Sequence, residues 1–280
     1  MTRIPTFMIS GACVIMALSS CHRSDSENAD ANSEINSFKI TQNIKTSSCT
    51  YLMTGLGDSA HITLSTLVNW PEKLSDYDIH TLQDSILSMA FPHYNGNDVD
   101  SAIKEYIGHP GNMFENDSTL TFTPVESTTE TMASYTADIT VNTTDITQEY
   151  VTYRYDFSSY MGGAHPIWGS DFLTYIYKSS KIVSLEWLLK PGSESAVLPI
   201  VTEAIASEVQ LSPYDLKQQM IADSLYVSDI VYIYNGLITF HYNPYALLPY
   251  SYGAIDAKVA PYEISEYMTP EAKELLLAEE

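Results

Sequence analysis

The chain has 280 residues and a formal net charge of -22, which is enough length for one large or two small domains with a sizeable buried core. So acidic a surface repels nucleic acid and anionic lipid headgroups, which argues against nucleic acid as a partner.

The N-terminal segment has the pattern of an export signal. Arg3 precedes an apolar run, Ile4 to Leu18, that is shorter than the roughly 20 residues a membrane-spanning helix needs. The run ends in LSSC, which resembles the bacterial lipobox, whose cysteine receives a lipid and becomes the first mature residue. We therefore predict a lipoprotein signal peptide at 1–20, lipidation of Cys21 and anchoring in the bacterial cell envelope. An ordinary signal peptide or an uncleaved anchor is the alternative.

Residues 21–47 are predicted to be a flexible tether. They contain almost no apolar residue before Ile35, so burial cannot offset the conformational entropy lost on folding. Asp25 and Glu27 resemble the surface-export signal of some Gram-negative lipoproteins, whereas Arg23 departs from it. Outer-surface and periplasmic display therefore both stay open.

The three cysteines predict no intramolecular disulfide. Cys13 lies in the signal peptide, and Cys21 is the predicted lipid attachment site. Cys49 is then left alone, and its expected role is that of a small buried hydrophobe and not of a nucleophile.

The first half of the globular part predicts a strand, two helices and a strand pair. A β-rich run at 62–70 predicts a strand that ends at Pro71. Apolar residues every three or four positions predict an amphipathic helix over 78–91, and a shorter helix is expected over 98–107. Strict alternation then predicts half-buried, antiparallel strands, at 133–141 and 151–157.

The second half continues the mixed pattern. Its predicted elements are a strand at 172–177, a brief strand at 182–184, a helical turn at 184–189, a helix at 196–209, a helix start at 212–215, a hairpin turn at Asn235-Gly236, a strand at 254–259 and a capped helix at 269–277. The whole predicts an α+β fold in which two or three helices pack on one largely antiparallel sheet.

Several of these segments resemble a known family. They are GGAHP at 162–166, the LEWLL turn, the Asn-Gly hairpin and NPYALLPYSYG at 243–253. Together they resemble the domain-of-unknown-function family 3298, over 168–280, and the part at 48–167 resembles family 4163, which precedes it.

This pair of modules is similar to the extracytoplasmic domain of the lysozyme-sensing anti-sigma factor of bacilli and to the non-catalytic domain of a peptidoglycan deacetylase. The resemblance implies a lysozyme-like protein or a cell-wall glycan as the partner. We expect neither sigma-factor signalling nor deacetylation, because the sequence shows neither a cytoplasmic anti-sigma segment nor a deacetylase domain.

The GGAHP loop is the first candidate site. Gly162 and Gly163 indicate positive φ or a bulge between two strands. His165 is expected chiefly to hydrogen-bond across this turn, while a ligand contact, or a general base beside Asp156 or Asp171, stays open. No catalytic residue is assigned, because the sequence contains no G-x-S-x-G, H-E-x-x-H or C-x-x-C motif.

Metal and cofactor signals are missing from the sequence. The other histidines are scattered singly, and none has the spacing of a zinc ligand set. The carboxylate-rich stretch at 95–100 misses the EF-hand order and is expected to be a solvated loop. We therefore predict no metal and no cofactor.

Tyrosines are concentrated near the C-terminus. Most are expected to pack across strands, but a loop tyrosine is free to face a partner. Tyr245, Tyr250 and Tyr252 are therefore predicted ligand contacts, together with Gly162, Gly163 and His165. The sequence predicts a non-catalytic binding module of the envelope. A structural or assembly lipoprotein without a small ligand, and a hydrolase that uses His165, are the alternatives.

Overall fold

A computed structural model of the protein describes residues 40–55, 59–126, 128 and 132–278. The predicted signal peptide, the lipidation site Cys21 and the tether up to residue 39 lie outside these residues.

The first sheet has seven strands. They are β1 (Ile40–Thr54), β2 (Ser59–Leu74), β3 (Thr121–Val125), β4 (Ala133–Ile146), β5 (Tyr150–Tyr160), β6 (Ile167–Ile176) and β7 (Lys181–Ile182). Their spatial order is β3-β1-β2-β4-β5-β6-β7, and every neighbouring pair is antiparallel except β2 with β4, which is parallel. The predicted strands at 62–70, 133–141, 151–157 and 172–177 are confirmed.

Two predictions about this sheet are wrong. β1 begins at Ile40, inside the predicted tether, because its polar residues are held by backbone pairing along β2 and not by a buried face of their own. Pro71 does not end β2, which continues to Leu74. Pro71 pairs with Gln42 at a register shift, where the ladder tolerates a residue without an N–H.

Two helices pack on the first sheet. They are α1 (His80–Ala90) and α2 (Val99–Gly108), which confirm the helices predicted at 78–91 and 98–107. α1 buries its apolar side, including Leu82 and Ile86, in the core of the sheet. In the predicted acidic loop, the Asp98 carboxylate caps α2 by accepting the Ser101 N–H at 2.8 Å. Among the described residues, no helix is long and apolar enough to cross a membrane.

The predicted α+β fold with a largely antiparallel sheet is confirmed, and the described residues form a second, three-stranded sheet in addition to the first. It consists of β8 (Val231–Tyr234), β9 (Leu237–Tyr242) and β10 (Ile255–Val259), in the order β10-β9-β8. Asn235 and Gly236 join β8 to β9 with φ of 51° and 72°, which confirms the predicted turn with two positive φ values. The sequence pattern showed these strands but not that they form a sheet of their own.

The remaining helices surround the second sheet. They are α3 (Leu185–Leu188), α4 (Glu194–Glu208), α5 (Pro213–Gln219) and α6 (Pro270–Leu276). α4 confirms the helix predicted at 196–209, and it packs on β10 with Val197, Val201 and Ile205 fully buried. Ser212 and Thr269 cap α5 and α6 with their side chains.

A closed set of hydrogen bonds joins the two sheets. The Thr152 hydroxyl of β5 donates to the Ile233 carbonyl of β8 at 2.7 Å, and the Ile233 N–H donates to the Thr174 hydroxyl of β6 at 3.0 Å. The two threonine oxygens lie 2.8 Å apart, so Thr174 donates to Thr152 and closes the ring. All three residues are buried, and the ring satisfies the backbone of the edge strand β8.

Candidate functional site

The GGAHP loop connects β5 to β6, in a strand connection as predicted. Gly162 and Gly163 have φ of 88° and 100°, a region that favours glycine, and a Cβ at Gly163 would meet open space. The Tyr160 hydroxyl donates to the Gly163 carbonyl at 3.1 Å. The two glycines therefore shape the loop so that His165 is presented at the surface.

Three of the predicted contact residues lie together on the surface. The rings of His165 and Tyr250 stack with centroids 3.9 Å apart and planes inclined by 16°, and the Tyr245 ring lies 5.4 Å from that of Tyr250. The Tyr250 hydroxyl donates to the Pro166 carbonyl at 3.0 Å, which ties the two loops together. Ile167 follows directly and is 67% exposed. We call His165, Ile167, Tyr245 and Tyr250 the aromatic patch.

Tyr245 combines exposure with an unusual backbone. It is 53% exposed, and its φ of 70° is rare for a bulky residue. Tyr252, the other tyrosine predicted to contact a ligand, lies apart from the patch. Its ring packs on the core of the second sheet, and its hydroxyl donates to the Gln219 side chain.

A side-chain clamp fixes the base of the tyrosine loop. Asn243 accepts the Ser170 N–H at 2.6 Å with Oδ1 and donates from Nδ2 to the Ser170 carbonyl at 2.9 Å. The amide thereby takes the place of a neighbouring strand beside β6. A Cβ at Gly169 would lie 2.9 Å from Asn243 Oδ1, so the small residue there permits the approach.

A buried histidine that sequence reasoning missed lies behind this clamp. His241 is 2% exposed, with Nδ1 at 2.7 Å from Asp256 Oδ1 and Nε2 at 3.3 Å from Asn243 Oδ1. Asn243 Oδ1 already accepts from Ser170, so it is an acceptor for His241 as well. Both ring nitrogens therefore face acceptors.

Two carboxylates near His241 shift in opposite directions. Burial raises the pKa of Asp171 above its usual value. Burial also acts to raise the pKa of Asp256, but the hydrogen bond from His241 and nearby positive charges outweigh it, and the net pKa is lowered. His241 and Asp256 are cross-strand partners on β9 and β10.

The carboxylates considered as partners of His165 are engaged elsewhere. Asp156 forms an ion pair with Arg154 at 2.7 Å and accepts the Ser170 hydroxyl at 2.6 Å. Asp171 accepts the N–H of Phe172 at 2.7 Å. His165 itself has Nδ1 at 2.9 Å from the Pro166 carbonyl, a contact within the turn.

The described residues place Cys49 beside the hydrophobic core and contain no cluster of metal ligands. Cys49 is half-buried against the core of the first sheet, with its thiol 3.8 Å from the Thr50 carbonyl. Over residues 40–55, 59–126, 128 and 132–278, no three His, Cys, Asp or Glu side chains gather as a metal site would require.

Comparison with known proteins identifies a module and a fold. Residues 186–263 match the family described as protein of unknown function DUF3298. No curated protein matches the chain. The match covers the second sheet and α4, and therefore includes His241 and Asp256.

Solved structures of DUF3298 family proteins share the fold of this chain. A crystal structure of a DUF3298 family member from Bacteroides fragilis aligns with a TM-score of 0.58 at 17% identity, covering 83% of this chain and 96% of that one. A DUF3298 family protein from Pseudomonas aeruginosa aligns with a TM-score of 0.54 at 17% identity and the same coverage. At this identity the likeness concerns the fold alone. The assignment of 48–167 to family 4163 stays a prediction.

Proposed function

We propose that the protein is a non-catalytic lipoprotein of the cell envelope that binds another protein through the aromatic patch. The observation that supports this is the convergence of His165, Tyr245 and Tyr250 on one surface, with Ile167 exposed two residues after His165. Aromatic residues with an apolar neighbour are enriched in the cores of protein interfaces. Tyr245 is held in a strained backbone conformation, and such strain is concentrated at binding sites.

The patch is built as a rigid surface. The ring stack, the hydrogen bond from Tyr250 to Pro166 and the Asn243 clamp hold its two loops against β6. A rigid surface loses little conformational entropy on binding, so more of the contact free energy becomes affinity.

Charge favours a basic partner. The net charge of -22 attracts cationic proteins over a Debye length of about 8 Å at physiological salt. A lysozyme-like protein, which the sequence resemblance implies, has this character. A wall glycan is the alternative ligand of the same patch.

Calorimetry of residues 38–280 against a cationic lysozyme and against muropeptides, at two salt concentrations, tests the proposal. Tyr250→Ala should weaken lysozyme binding by about 2 kcal/mol, or roughly thirtyfold. Tyr214→Ala removes a 72% exposed tyrosine from α5 and should leave the affinity for lysozyme unchanged. Equal affinity of the Tyr250 and Tyr214 variants would contradict the patch, and binding of muropeptides alone would favour the glycan.

The anchor is a separate part of the proposal. Cys21→Ala removes the predicted lipid attachment site, so the protein should leave the membrane fraction and appear in the soluble fraction. Cys49→Ala is the matched control and should stay with the membrane. Retention of the Cys21 variant in membranes would exclude anchoring by this lipid.

A further inference from the structure

A second concave site lies at the other end of β5 and β6 from the GGAHP loop. The turn after β4, the turn after β6, the Asn235-Gly236 turn and α6 enclose a cleft of about 1140 Å³. We call it the turn cleft. It shares no residue with the aromatic patch, and its volume exceeds the roughly 300 to 1000 Å³ of common small-molecule sites.

The cations of the turn cleft are already paired. Lys181 lies 2.6 Å from Glu271, and Lys178 lies 3.7 Å from Glu274. The hydrogen bond from Lys181 is the main cause of the lowered pKa of Glu271. Four carboxylates line the cleft beside these two lysines, so the net charge of the lining is negative and disfavours a phosphate or another strong anion.

Uncharged groups of the turn cleft remain available to a ligand. Tyr77 is 43% exposed and rests beside Tyr177, with ring centroids 5.6 Å apart, so the Tyr77 ring can pack against a flat apolar surface. Trp187 is only 7% exposed, and its Nε1–H meets no acceptor at hydrogen-bonding geometry. The Glu271 carboxylate accepts a hydrogen bond from Lys181 at 2.6 Å. The Trp187 N–H also lowers the pKa of Glu271, though less than Lys181 does, so it interacts with that carboxylate without a well-aligned hydrogen bond.

The unused groups define the ligand chemistry. The buried Trp187 N–H lacks a well-aligned acceptor, and the exposed Glu149 carboxylate on the opposite turn can accept hydrogen bonds from ligand hydroxyls. A ligand that supplies an acceptor and hydroxyl donors, carries no negative charge and has an apolar ring face for Tyr77 is a polyhydroxylated ring. We infer that the turn cleft is a binding site for a neutral saccharide of more than one sugar ring.

The site is tested by titrating the lipid-free Cys21→Ala protein with chitotriose, cellotriose and maltotriose. Ligand concentrations reach about 10 mM, because weak binding is expected and a Kd of 1 mM corresponds to a binding free energy of only about -4.1 kcal/mol. Binding is followed by calorimetry and by tryptophan fluorescence. At least one trisaccharide should bind and change the fluorescence. Failure of all three to bind would overturn the inference, as would competition by a short neutral peptide that binds in their place.

Variants locate the site. Trp187→Phe keeps a ring in the core but removes the N–H, and it should weaken binding about fivefold. Tyr77→Ala should weaken it about tenfold. Tyr214→Ala, on α5 and outside both sites, should leave saccharide affinity unchanged, while thermal melting verifies that each variant is folded. Saccharide binding that survives both cleft variants would refute the site. A wild-type protein that binds a saccharide but no lysozyme would count only against the aromatic patch.

Discussion

Removal of the Asn243 amide should destabilise the junction beneath the aromatic patch. In Asn243→Ala, both backbone groups of Ser170 lose their partners, which lie at 2.6 and 2.9 Å in the native protein. An unpaired buried backbone group costs about 1 to 3 kcal/mol. Ser170 is 2% exposed, but Asn243 is half-buried, so water can partly replace the amide and the lower part of that range applies. We expect a loss of about 2 to 3 kcal/mol.

Thermal melting measures this loss. For a domain of this size, 1 kcal/mol corresponds to about 2 to 4 °C, so the midpoint should fall by roughly 4 to 12 °C. Hydrogen exchange should show that the Ser170 amide loses protection. Asn43→Ala is the matched control, because its amide makes one exposed contact with Glu72 at 3.2 Å and should cost under about 0.5 kcal/mol. The same midpoint for both variants would refute the clamp.

Two further predictions concern the same region. Thr174→Val keeps the side-chain shape but leaves the Ile233 N–H unpaired, so it should lower the free energy of unfolding by about 1 to 3 kcal/mol in a denaturant titration. Thr63→Val is the control, because it removes a hydroxyl from a threonine pair at 2.9 Å within the first sheet, and it should cost less. Equal costs would refute the hydrogen-bonded ring between the sheets. Asp171→Asn should raise the melting temperature at pH 7, because burial raises the pKa of Asp171 and the charged carboxylate destabilises the folded state above that pKa. The gain should vanish below pH 3.8, the pKa of the carboxyl in the unfolded chain. A lower melting temperature at pH 7 would contradict this account.

Local signals in the sequence predicted local structure well. The Asn235-Gly236 turn is specified by two adjacent residues, and the helix at 78–91 is specified by a periodicity within it. β1 was missed because its first ten residues are mostly polar and show no apolar alternation, while pairing with β2 supplies the reason for their extended conformation. The end of β1 does bury Tyr51 and Met53 in the core, but hydrophobic pattern cannot reveal the polar part of a strand that backbone pairing maintains.

The candidate site was predictable only in pieces. The two loops of the aromatic patch were each recognisable, but their contact depends on the Asn243 clamp to β6, and no local pattern encodes it. His241 and Asp256 were missed for a related reason. They face each other because of the register between β9 and β10. A long connection joins these strands, so no tight turn in the sequence reveals that register.

The parallel pairing of β2 with β4 has a consequence for the order of folding. Ala60 pairs with Ala133 and Val68 with Val141, so this ladder joins segments far apart in the chain, while β1 with β2 and β4 with β5 are close neighbours in sequence. Closing a long loop before its contacts form slows the search. We expect the two antiparallel hairpins to form early and the central ladder to form late, so that substitutions at Val68 or Val141 speed unfolding far more than they slow refolding.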